Sequence, residues 1–186
     1  MIKNKLKLGL IAAAAIVMSI SACKKDKEVP EPDENELITK VSLKFTNSTN
    51  ASDIATVTWT DPDGDGGVAP TIGTLNLKAN TSYNFEVSEV LNETAAPADR
   101  NVLSEITSES FEHLWVYKPA TGLNLTLVRT DKDKNNLEIG IKGTAAAGAI
   151  SSGSLQVVLR HQPGAKNGTE APGSTDFSAA IPVSIK

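Results

Sequence analysis

Apolar side chains recur at spacing two along most of this chain. Ile38, Val41, Leu43 and Phe45 punctuate one Thr-bearing run, and Ile54, Val57 and Trp59 punctuate the next. Leu75 and Leu77, then Tyr83, Phe85 and Val87, continue the pattern. Later runs cover residues 111–117, 123–128, 137–141, 155–159 and 181–185. Each is short and carries β-branched or aromatic residues, the mark of a strand with one buried face. Turn chemistry separates them at Asp61-Pro62-Asp63-Gly64, Lys134-Asn135-Asn136, Ser152-Gly153 and Pro163-Gly164. The pattern breaks once, over residues 97–109, where Val102, Leu103 and Ile106 fit the face of a short helix. Residues 164–175, rich in Gly, Pro, Asn and Thr, read as a long mobile loop. The expectation is an all-β chain: a single Ig-like or Greek-key-type β-sandwich of about eight or nine strands, with at most one short helix near 97–109.

The first residues follow another rule. Lys3, Lys5 and Lys7 precede an almost unbroken apolar run over residues 8–20, and Ser21 and Ala22 lead to Cys23. This is the layout of a secretory signal, too short and too close to the start for a membrane span. Ile20-Ser21-Ala22-Cys23 resembles the lipobox of bacterial lipoproteins. That resemblance implies cleavage before Cys23, with lipid on its thiol and its new amine; an ordinary cleaved signal beside an incidental cysteine is the alternative. More than one acyl chain is what makes such anchoring stable. Cys23 is the only cysteine, so the fold has no internal disulfide and must rest on its core.

Residues 23–36 are charged and carry two prolines, with Val29 their one aliphatic side chain, so they read as a tether. The organisation expected is a signal over 1–22, the tether over 23–36 and one domain over 37–186. Lys24-Lys25-Asp26-Lys27-Glu28 resembles the charged export signal of Bacteroidota lipoproteins, which implies the outer face of the outer membrane; a merely soluble linker is the alternative. Losing Lys3, Lys5 and Lys7 with the signal takes the formal charge from −4 to −7. That balance argues against nucleic acid and against anionic headgroups as partners.

Two constellations could carry chemistry. Asp61, Asp63 and Asp65, followed by Gly66 and Gly67, could curl around calcium as a D-x-D-x-D-G opening does. The twelfth position is Ile72 rather than Glu, so further ligands would have to come from Glu86, Glu89 or Glu93. The bland alternative is a solvated acidic turn. His113 and His161 are the only histidines. Alternation puts His113 on one face with Phe111, Trp115 and Tyr117, and His161 with Leu155, Val157 and Leu159. If the two strands pair, the imidazoles could meet and hold zinc or copper. Glu112, on the opposite parity from His113, is an awkward third ligand. Two unrelated histidines at strand ends are the alternative.

Trp59-Thr60-Asp61-Pro62-Asp63-Gly64-Asp65-Gly66, Pro70-Thr71-Ile72, Leu91-Asn92-Glu93, Glu112-His113 and Leu159-Arg160-His161-Gln162-Pro163 together resemble a family of Bacteroidota lipoproteins. Its members carry the label "type 1 periplasmic binding fold". The resemblance implies lineage and location. The two α/β lobes that the label describes need nearly twice this length, and the strand pattern here differs from theirs.

No HExxH helix, GxSxG elbow, phosphate-binding glycine loop or spare cysteine is present, and no enzyme is expected. The function expected is a lipid-anchored binding or interaction module at the outer membrane, surface or periplasmic face, contacting a protein or small molecule. A structural envelope or accessory protein is one alternative. The other is metal or haem handling through the histidines, with Tyr83 and Tyr117 as further candidates. With only eight Phe, Tyr and Trp, and both Trp on strands, a carbohydrate platform is disfavoured.

Overall fold

The computed structural model describes residues 37–64 and 66–186. Cys23, the signal and the tether lie outside them, as does Asp65. The strands are Lys40–Asn47 (β1), Ile54–Thr60 (β2), Thr71–Ile72 (β3), Leu75–Leu77 (β4), Thr81–Leu91 (β5), His113–Pro119 (β6), Leu125–Arg129 (β7), Lys142–Ala147 (β8), Ser151–His161 (β9) and Ser174–Ile185 (β10). They form a six-stranded sheet in the order β3-β2-β1-β5-β8-β7 and a four-stranded sheet in the order β4-β10-β9-β6. The two sheets pack as a sandwich, so the all-β expectation holds, with ten strands among the described residues. The break over 97–109 becomes a single 3-10 turn, Pro97–Asp99, and one helix, Val102–Ser108 (α1). Asn101 caps α1 by accepting from the Ser104 N–H, and Val102 and Ile106 are the helix residues that bury.

Alternation sets the core. Val41, Leu43 and Phe45 of β1 face Val57 and Trp59 of β2 and Phe85 and Val87 of β5. A bulge in β5 leaves Ser88 without an opposite residue, so Val87 and Val90 both point inward three positions apart. On the facing sheet Leu155, Val157 and Leu159 of β9 lie beside Phe177, Ala179, Ile181, Val183 and Ile185 of β10. Aromatic rings link the layers. Phe85 meets Tyr117 edge-on at 4.9 Å, and Trp59 meets Phe177 at 5.0 Å. Each such residue contributes about 1.5–3 kcal/mol on burial.

Four expectations change. The run over 111–117 begins as a strand only at His113, because 109–112 forms a turn closed by the Glu112 N–H on the Glu109 carbonyl. Ser152-Gly153 is no turn but lies inside β9, where Gly153 faces Leu123; the reversal falls just before it. Residues 137–141 form no named strand. The Asp131 carboxylate takes the Gly140 and Lys142 N–H groups, and the Asp133 carboxylate takes those of Asn135 and Leu137. Side chains there supplement a few backbone bonds and the isolated Lys132–Glu138 bridge. The fourth change is β8, Lys-Gly-Thr-Ala-Ala-Ala, whose inward residues are Gly143, Ala145 and Ala147; the first two stand opposite the aromatic Phe85 and Tyr83. A Cβ on Gly143 would sit 2.3 Å from both the Phe85 ring and the Val128 carbonyl.

Residues 164–175, expected as a mobile loop, contain the start of β10 at Ser174, and the segment that leads to it is fastened at several points. Gln162 is fully buried and donates to the Thr169 and Pro172 carbonyls. The Arg160 guanidinium donates to the Pro172 and Gly173 carbonyls and to Thr175. Lys166 reaches Asp133 and the Ser110 carbonyl, each at 2.8 Å, with both charged side chains almost wholly buried.

Candidate functional site

The two histidines meet. β6 and β9 are antiparallel neighbours, and His113 stands directly opposite His161. Their rings lie parallel, 3° apart in plane, with centroids separated by 4.7 Å. Both continue the inward face of their strands, after Trp115 and Tyr117 on one and Val157 and Leu159 on the other. The sequence placed them on such faces; pairing of the strands was the step it left open. Phe111, grouped with His113 by parity, precedes the strand and lies instead beneath the Lys134 ammonium.

A third residue joins them. β10 pairs with β9 through Thr175 opposite Arg160 and Phe177 opposite Leu159, so Asp176 is the extra residue of a bulge. Parity from the inward Phe177 would send Asp176 outward. The bulge re-aims it, its side chain is fully buried, and its Oδ2 comes within 3.9 Å of His113 Nε2. His113, His161 and Asp176 each offer one donor atom, and these lie within 4.8 Å of one another. Gly173 makes this geometry possible. It has φ +81°, and a Cβ there would fall 1.8 Å from the His161 carbonyl oxygen.

The state of His113 follows from its surroundings. The ring is fully buried. Nδ1 lies 3.1 Å from the Glu109 carbonyl, which can only accept, so Nδ1 carries the proton. Burial pushes the imidazole down to about 4 against the opposing pull of that hydrogen bond, and the charges of His161 and Lys166 push the same way as burial. His113 is therefore neutral at pH 7, and its buried Nε2 presents a lone pair with no hydrogen-bond partner.

Glu112 enters from the turn rather than from a strand, so parity does not bind it. Its Oε2 is 4.0 Å from His161 Nε2, with both side chains partly exposed. Glu109, Glu112 and His161 form a second three-donor group that shares His161 with the first. Glu112 thus approaches His161 but shares no donor group with His113, and the third donor beside the two imidazoles is Asp176. Asp176, Glu109 and the Lys166–Asp133 pair were missed, since only the folded loops bring them near.

The aspartate loop is different. The Asp61 side chain is buried, Asp63 is exposed and accepts from the Val68 N–H at 3.2 Å, and Asp65 lies outside the described residues. Among the described residues neither Asp61 nor Asp63 belongs to a three-donor group. Two of the carboxylates considered as further ligands are engaged elsewhere: Glu86 pairs with Lys44 at 2.8 Å and Glu89 with Lys40 at 3.2 Å. Both tyrosines are core residues. The Tyr83 hydroxyl accepts from the Lys78 N–H, and the Tyr117 hydroxyl donates to the Gly140 carbonyl at 2.7 Å. A hollow of about 350 Å³ on the six-stranded sheet is lined by Thr46, Glu86, Lys142 and Thr144 among others, and none of the histidine cluster borders it.

No protein-family model, curated protein or solved structure matches this chain.

Proposed function

We propose that this protein is a lipid-anchored, non-catalytic lipoprotein of the bacterial outer membrane, presenting its β-sandwich as a binding module on the cell surface. The observation that carries the reading is the apolar run closed by Ile20-Ser21-Ala22-Cys23 ahead of a charged, proline-bearing stretch. The resemblance of the Asp61–Gly66 stretch and of the Leu159–Pro163 stretch to Bacteroidota lipoproteins supports the same location. The fold fits the role: a rigid two-sheet scaffold with its polar donors gathered at strand ends and loops. Among the described residues no helix is long and apolar enough to cross a membrane.

Labelled palmitate fed to a bacterial host expressing the full chain tests this. The wild-type protein takes up label and sediments with the outer membrane, protease added to intact cells removes it, and Cys23→Ala takes up none. Label persisting in Cys23→Ala, or wild-type protein in the soluble fraction, would overturn the anchor.

A further inference from the structure

We infer that His113, His161 and Asp176 hold one late first-row divalent cation, with zinc the ion that best fits the donor set. This deepens the binding-module reading above and rests on it for its purpose, while its chemistry stands on the cluster alone.

Three observations converge. The first is the donor set. Two imidazoles and one carboxylate, brought from β6, β9 and the bulge of β10, make the three-ligand complement that zinc uses when a fourth position stays open. Imidazole nitrogen selects zinc and copper over calcium and magnesium, which prefer all-oxygen sites.

The second is the orientation of His113. A metal-binding imidazole commonly donates its other ring N–H to a carbonyl, which fixes the tautomer and aims the lone pair. His113 does this: Nδ1 faces the Glu109 carbonyl at 3.1 Å, and Nε2 faces the cluster. That Nε2 is a buried acceptor with no hydrogen-bond partner. The Asp176 Oδ2 lies 3.9 Å from it. A cation placed between the imidazole lone pair and that carboxylate would bond to both.

The third is spacing. Ligand atoms around a tetrahedral zinc at about 2.0–2.2 Å stand about 3.3–3.6 Å apart. Here they stand within 4.8 Å. Side-chain tilts of about an ångström close the set, and they would break the parallel stack of the rings. Entry runs past His161 and Glu112, the partly exposed members of the end. Glu112 Oε2 lies 4.0 Å from His161 Nε2 but outside the three-donor group, which leaves the fourth position to water. The Lys166 charge, which acts on His113, is offset by Asp133 at 2.8 Å.

The experiment is zinc titration of the chelator-stripped full chain by calorimetry, with X-ray absorption at the zinc edge. One zinc per chain binds with a dissociation constant of about 1 μM or tighter, and the absorption spectrum shows imidazole scattering. Asp176→Asn and His161→Gln each weaken binding about tenfold or more. Both keep the circular dichroism of the stripped wild-type chain; the first is isosteric and the second changes a partly exposed side chain. Cys23→Ser binds as the wild type does. The inference fails if the wild-type chain binds no zinc, if both cluster variants bind it unchanged, if Cys23→Ser abolishes binding, or if calcium displaces zinc at equal concentration. A chain that takes palmitate but ignores zinc loses the metal and keeps the anchor. A chain that binds zinc but takes no palmitate does the reverse.

Discussion

The aspartate loop and the histidine cluster are opposites. Asp61 and Asp63 lie two positions apart in the sequence, yet the described fold gathers neither into a donor group. His113, His161 and Asp176 come from three strands scattered over the second half of the chain, yet their donor atoms converge. The loop spends its polar atoms on its own turn, with Asp63 accepting the Val68 N–H. The cluster is imposed by strand pairing and a bulge, and its buried lone pair is left over once the backbone bonds are made. Proximity in sequence supplies turn chemistry; proximity enforced by a sheet supplies a site.

The largest test of that contrast uses two glycines. Gly173→Ala puts a Cβ 1.8 Å from the His161 carbonyl at a positive φ, and is expected to cost about 4 kcal/mol or more in urea denaturation. Gly67→Ala in the aspartate loop meets nothing within 4 Å and is expected to stay within about 0.5 kcal/mol. Equal losses at both sites would erase the distinction between the two regions.

Next comes the buried pair beside the cluster. Lys166→Met leaves Asp133 buried without its cation, and a loss of about 3–5 kcal/mol is expected from thermal or urea unfolding. Acid unfolding reads the same pair. Burial alone would raise the Asp133 carboxyl, but the Lys166 ammonium and the N–H groups of Leu137 and Asn135 outweigh it and hold the group below its ordinary 3.8. The folded value is the lower one. The stabilisation is therefore complete above the ordinary carboxylate range and is lost as pH falls through the folded value. Asp133→Asn should lack that component, so its stability against pH is flatter in this window. Matching acid profiles would remove the pair from the account.

A smaller effect separates the ions. Zinc at a hundred times its dissociation constant should add about 2.7 kcal/mol to the stripped chain, visible as a rise in Tm that a tenfold weaker Asp176→Asn cuts to about half. The smallest effect is expected at Asp63→Ala. It loses one exposed hydrogen bond and should change stability by less than about 0.5 kcal/mol, measured by the same denaturation.

Much of the fold was legible because apolar alternation and a half-buried sheet obey the same period. Val41, Leu43 and Phe45 announced β1, and Leu155, Val157 and Leu159 announced β9. β8 was hidden because Gly143, Ala145 and Ala147 carry little hydrophobic signal of their own; the smallness of the first two answers Phe85 and Tyr83 on the next strand. The shared faces of His113 and His161 were legible from parity. Asp176 was not, since a bulge reverses the parity on which such reading depends. Glu112 precedes β6, so strand parity said nothing of its nearness to His161.

The register of β4 on β10 carries a kinetic consequence. Leu75 pairs with Val183 in a parallel ladder, across more than a hundred residues of intervening chain. β4 is three residues long and lies at the edge of its sheet, with β10 its sole ladder partner. Closing so long a loop costs entropy before the ladder returns any energy. Sheets built on pairings this remote tend to fold in milliseconds to seconds rather than microseconds. The four-stranded sheet should thus be the slow half to assemble, and the histidine end of β6 and β9 should acquire Asp176 only when β10 docks.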